Sequence, residues 1–152
     1  MTDASSRFTT TLEHVLEIEA SPETVFAMWT TAAGLCAWWG ATAEADPRPG
    51  GLIRVRLEGG PIMSGEYLTL ESPHRVVFTF GWETAPAEGE LSPGSTRVEV
   101  SIEATSTGSR VTLRHHDLPV EHFGNHARGW THFFGDRFVK AVFSERRQPD
   151  ER

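Results

Sequence analysis

Residues 120–145 read VEHFGNHARGWTHFFGDRFVKAVFSE, a stretch with no proline. Phe123, Ala127, Trp130, Phe134, Phe138 and Ala141 recur in steps of three and four, which places them along one face of a helix. Gly124, Gly129 and Gly135 oppose this reading, since each costs about 1 kcal/mol against alanine in a helix. Packing of so long an apolar stripe outweighs that cost. The spacing therefore predicts one long C-terminal helix, and the stripe has to be covered by something upstream.

What lies upstream alternates with a period of two. Residues 109–116 align Val111, Leu113 and His115, and residues 96–104 align Val98, Val100 and Ile102, around a Thr107-Gly108 turn. Residues 75–82 put Val76, Phe78, Phe80 and Trp82 on one side. Ser72-Pro73 turns the chain back to residues 62–71, and Gly59-Gly60 links those to residues 52–58, where Ile53, Val55 and Leu57 alternate with Arg54, Arg56 and Glu58. Asp46 to Gly51 is turn chemistry. The segment from Glu83 to Gly94, rich in Glu, Pro and Gly, reads as a mobile surface loop.

Near the N-terminus, residues 12–19 set Leu12, His14, Leu16 and Ile18 against Glu13, Val15, Glu17 and Glu19. Ser21-Pro22-Glu23 then supplies a cap, a pre-organised first helical residue and an acid for the dipole. Val25, Phe26, Met28 and Trp29 follow at helical spacing until Gly34 ends that helix. A second short one carries Leu35, Cys36, Trp38 and Trp39 to Gly40. Successive hairpins imply antiparallel pairing. A sheet with one apolar face and a helix with one apolar stripe bury those surfaces only against each other. The expected fold is α+β: a curved antiparallel six-stranded sheet wrapped around a long C-terminal helix, with two short helices after the first strand.

With 152 residues the chain suits a single domain, expected over residues 11–145 between flexible ends at 1–10 and 146–152. The net charge of −7 and the single lysine, Lys140, argue against nucleic acid and against anionic membrane surfaces, both of which demand basic patches. No apolar run approaches the roughly 20 residues that span a bilayer, and Met1 to Thr11 lacks the apolar core of a secretory signal. Cys36 is alone, so no intrachain disulfide forms. A cytoplasmic protein is expected, with a homodimer as an open assembly state.

Five Trp and nine Phe are the unusual feature. Phe26, Trp29, Trp38, Trp39, Phe78, Phe80, Trp82, Trp130 and Phe134 come from the short helices, the middle strand and the long helix. Any one of them is most simply core packing. Together they imply gaps between a curved sheet and a helix, where apolar ligands bind. Trp38 and Trp39 should face two directions, leaving one at the pocket mouth. His14, His115, His126 and Arg137 are the polar groups predicted to face inward. Each has an alternative as a satisfied core residue, or as an acid or base. The candidate ligand-binding set is thus the nine rings with His115 and His126. His122 and His126 share a helix face, but no acid is placed as in a zinc peptidase and His115 and His116 point apart, so no metal is expected. Cys36 lacks a matched base. No catalytic set and no cofactor motif emerges.

Six segments, in order, carry a family resemblance: Ala20-Ser21-Pro22-Glu23-Thr24-Val25-Phe26, Leu35-Cys36-Ala37-Trp38-Trp39-Gly40, Arg48-Pro49-Gly50-Gly51, Gly65-Glu66-Tyr67, Arg75-Val76-Val77-Phe78-Thr79-Phe80 and Gly129-Trp130. The chain resembles the START-like or SRPBCC superfamily, in the branch named for homology to the activator of heat-shock protein 90 ATPase, over roughly residues 10 to 145. The resemblance implies the helix-grip fold and a hollow interior. The expected function is binding of a small hydrophobic molecule in an aromatic-lined cavity. The alternatives are a cyclase- or hydrolase-type enzyme using cavity histidines, and a chaperone-associated stress module.

Overall fold

A computed structural model describes residues 8–83 and 91–147. Strand β1 (Thr9–Ile18) is followed by helices α1 (Pro22–Thr30) and α2 (Ala32–Trp38). Six more strands follow: β2 (Thr42–Ala45), β3 (Leu52–Arg56), β4 (Ile62–Glu71), β5 (Arg75–Phe80), β6 (Thr96–Ala104) and β7 (Ser109–Pro119). The chain ends in α3 (Phe123–His132), a π-helical stretch (Phe133–Phe138) and α4 (Val139–Arg147), entered through a 3₁₀ turn at Val120–His122. All seven strands lie in one antiparallel sheet, ordered β1-β7-β6-β5-β4-β3-β2. The α+β helix-grip architecture is therefore as expected, but the sheet has seven strands, not six. Thr-Ala-Glu-Ala of β2 has no alternation of large apolar groups and only Thr42 favours a strand, so its pairing with β3 makes it one. Residues 84–90 of the expected surface loop lie outside the described residues. Strand β1 begins at Thr9, within the expected N-terminal tail, and α4 runs past residue 145.

The short helices form as their caps dictate. The Ser21 hydroxyl accepts from the Thr24 amide at 3.2 Å, with Pro22 and Glu23 in the first turn. Thr31, not Gly34, breaks the helix: its hydroxyl accepts from the Gly34 amide at 2.9 Å and donates to the Ala27 carbonyl at 2.9 Å. Gly34 lies inside α2, where a Cβ would stand 2.3 Å from the Ala27 carbonyl oxygen. Its role is to let the two helices touch.

The C-terminal rod lies across the sheet with Trp130, Phe134, Phe138 and Val142 buried. Phe123, expected on that stripe, is 39% exposed, and Ala141 gives up the last inward place to Val142. The wider turn of the π-helical stretch accounts for the slip, since it lengthens the repeat to steps of four. At the centre stands Trp29, fully buried, with ring contacts to Trp38, Trp39, Phe78, Phe134 and Phe138 between 4.8 and 6.4 Å. Here the rod is packed flush on the sheet.

Candidate functional site

Toward the N-terminal end of α3, rod and sheet part. The space between them is a cavity of about 530 Å³. Trp39, Phe80 and Trp130 form its walls, Trp82 and Leu91 close the strand side, and Glu121 and Asn125 stand at its lip. Trp39 ends α2, its amide donating to the Leu35 carbonyl at 2.8 Å, and its ring lies nearly parallel to Phe80 at 6.3 Å and 14°. Trp38 and Trp39 were expected to face opposite ways. Instead they stack at 5.0 Å and 14°, because the turn of α2 lays both rings over one layer. Trp38 belongs to the core, its indole N–H donating to the Met28 carbonyl at 3.0 Å, and Trp39 is a wall, not a mouth.

Of the eleven residues expected to bind ligand, Trp39, Phe80, Trp82, His126 and Trp130 line this space. Trp29, Trp38, Phe78 and Phe134 are sealed in the ring cluster around Trp29, and Phe26 packs on the outside of that core. Sequence reasoning missed Leu57, Pro61, Leu91, Glu121, His122, Asn125, Gly129 and Phe133 as lining residues. Gly129, Phe133 and Asn125 had a usable signal. Gly129 and Phe133 sit one helical turn from His126 and Trp130, and Asn125 sits one turn from Gly129.

The two inward histidines are wired by indoles. An indole N–H can only donate, so the ring nitrogen that it meets must carry a lone pair. Trp130 Nε1 donates to His115 Nδ1 at 3.1 Å, which leaves the His115 proton on Nε2. That proton goes to the Thr96 hydroxyl at 2.8 Å, and the hydroxyl donates onward to the Phe80 carbonyl at 2.8 Å. His126 repeats the logic in mirror order: its Nε2 accepts from Trp82 Nε1 at 3.2 Å and its Nδ1 donates to the His122 carbonyl at 2.9 Å. Both imidazoles are thereby neutral, with both nitrogens engaged. Burial is the main cause of the low pKa of each; His115, which a protonated His126 or His116 would repel as well, is pushed down to about 3.

His115 itself is fully buried behind the wall and does not reach the cavity. His14 is half-buried elsewhere, its ring edge on Phe134 at 5.3 Å and its Cε1 beneath Gly135, and burial lowers its pKa. Arg137 stands over the Phe133 ring, 5.9 Å from its centroid, without lining the space. Among the described residues no group of three His, Cys, Asp or Glu side chains gathers as metal ligands would.

The His115 wiring has a pH consequence. Its pKa is about 3 in the folded chain against an ordinary 6.5, so the unfolded chain takes the proton first as pH falls. The stabilising contribution is complete above pH 6.5 and is lost toward pH 3, at about 1.4 kcal/mol per pH unit. Urea midpoints across that range should fall more steeply for the wild type than for His115→Gln, which cannot titrate. Parallel pH profiles would refute it.

An antiparallel sheet closed over a C-terminal helix, with an aromatic cavity at one end, defines an α+β helix-grip domain. The chain belongs to the family described as Activator of Hsp90 ATPase homolog 1-like protein, whose model matches residues 19–142. Solved structures agree in fold. A Mesorhizobium loti protein superposes with a TM-score of 0.77 at 17% identity, covering 89% of this chain and 98% of that one. A Staphylococcus aureus protein of unknown function gives 0.76 at 20% identity, covering 95% and 99%. The Aha1 dimer from Colwellia psychrerythraea gives 0.73 at 19% identity, covering 88% and 96%. No curated protein matches the sequence significantly. No helix among the described residues is long and apolar enough to cross a membrane.

Proposed function

We propose that this chain binds a small, largely hydrophobic molecule in the cavity between α3 and the sheet. One observation carries the reading: three indoles and two phenyl rings, Trp39, Trp82, Trp130, Phe80 and Phe133, surround a cavity of about 530 Å³. That size and that apolar lining suit small-molecule sites. Binding is favoured over catalysis by the state of His126. Of the two imidazoles that line the space, His122 and His126, the latter has its lone pair held by Trp82 and its proton held by a carbonyl, so neither is free for a substrate. A general base needs one of them within reach.

Gly129 offers the test. It lines the cavity, and a Cβ built there meets nothing within 4 Å. Gly129→Leu therefore plugs the space without strain and replaces a poor helix former by a good one, a gain of up to about 1 kcal/mol. With an apolar probe such as 1-adamantanemethanol, the wild type should melt higher, by mass action on the native state. Gly129→Leu should melt no lower than the wild type without probe, and should show no rise with it. An equal rise in both proteins would place the guest elsewhere. No response of the wild type to any apolar compound would end the reading.

Two further assignments belong with it. The dimer formed by the Colwellia relative supports a homodimer here, testable by light scattering of the eluted peak. The lone, half-buried Cys36 supports a reducing, cytoplasmic setting, testable by cell fractionation.

A further inference from the structure

The cavity is not neutral in what it can accept, and the asymmetry follows from which groups are already bonded. Inside, the indole N–H of Trp82 and of Trp130 each ends on an imidazole nitrogen, and both nitrogens of His126 are taken. The deep part therefore offers ring faces and aliphatic surface, with no spare donor or acceptor on these residues. A polar head of a guest has to stay at the lip.

The lip is electrostatically one-sided. Among the described lining residues there is no Lys or Arg, and Glu121 is the one carboxylate. Glu121 enters no ion pair among the described residues, whereas Glu13, Glu17, Glu44, Glu83, Glu99 and Glu103 are all paired with arginines. The nearest cation along α3, Arg128, donates to the Asn125 amide oxygen at 2.7 Å and is held on the helix. The positive end of the α3 dipole would favour an anion, but Glu121, in the turn that opens the rod, already offsets that partial charge. The ring faces act in the same direction as Glu121, since aromatic π-clouds attract cations and repel anions. So does the net charge of −7, at longer range.

We propose that the guest is an amphiphile with a protonated amine head, its aliphatic or aromatic body among Trp39, Trp82 and Trp130 and its ammonium against the Glu121 carboxylate. This rests on the cavity being the binding site. A carboxylate-headed molecule of the same shape, such as a fatty-acid type ligand, is discriminated against.

Three adamantane probes of one shape separate the two claims: 1-adamantanemethylamine, 1-adamantanemethanol and 1-adamantanecarboxylate. They are titrated at neutral pH and low salt into wild type and Glu121→Gln, with tryptophan emission and calorimetry as readouts. The amine should bind the wild type about fivefold tighter than the alcohol, and the carboxylate correspondingly weaker, as expected for one opposed or like charge near the surface. Glu121→Gln should abolish the amine's advantage over the alcohol, and salt should erode that advantage in the wild type. Equal binding of all three, or preference for the carboxylate, overturns the amine proposal and leaves the cavity standing. Binding of none of them overturns both.

Discussion

Trp29→Ala should cost the fold about 3–5 kcal/mol, the range for removing a large aromatic from a packed core. Trp29 is fully buried and touches five other rings drawn from α2, β5 and the C-terminal rod. Truncation leaves a void that α1, fixed by its Ser21 cap, cannot close by sliding. The indole N–H has no hydrogen-bond partner among the described residues, so it adds nothing that Phe would lose. Trp29→Phe should accordingly retain more than half of what Trp29→Ala forfeits. Urea unfolding of the three proteins reads both numbers, and a loss below about 1 kcal/mol for Trp29→Ala would show that the ring cluster is not the centre of the fold.

Gly65→Ala should be nearly as damaging, through the opposite fault. A Cβ at Gly65 would stand 1.9 Å from the Thr79 carbonyl oxygen and 2.6 Å from its carbon. Both are backbone atoms of the neighbouring strand, so no rotamer change relieves the contact; β4 and β5 have to separate. Overpacking in a core costs about 1–3 kcal/mol where side chains give way, and more is expected where a ladder must open. The separation would displace Phe78 and Phe80, which supply a core ring and a cavity wall. Gly129→Ala is the control, because its added methyl meets open space. If Gly65→Ala proves as stable as Gly129→Ala, the close strand approach at Gly65 is not a feature of the molecule in solution.

How much of this was legible beforehand depends on the range of the forces involved. The alternation in residues 12–19 and 96–116 and the stripe from Trp130 to Phe138 are local patterns, and each produced the element read from it. Strand β2 was not legible, because Thr42 to Ala45 extends only through its partner in β3. The replacement of Ala141 by Val142 on the buried face depends on a π-helical stretch that no spacing rule announces. At the cavity, the wealth of aromatic rings was legible and their sorting between wall and core was not. Trp38 and Trp39 are neighbours in one helical turn, yet the first bonds Met28 in the core and the second faces open space. Which ring does which is fixed by where α2 stops against the sheet. The same limit hid Glu121, which lines the cavity and enters no ion pair among the described residues.

The indole-to-imidazole bonds have one more effect. A water molecule in the deep end of the cavity would find the Trp82 and Trp130 N–H groups and both nitrogens of His126 already spoken for. Apolar voids of this kind stay poorly wetted. On the proposed binding function, entry of a guest would displace little ordered solvent and form many dispersion contacts, and calorimetry should then record heat release together with a negative heat-capacity change, not the entropy gain of oil leaving water.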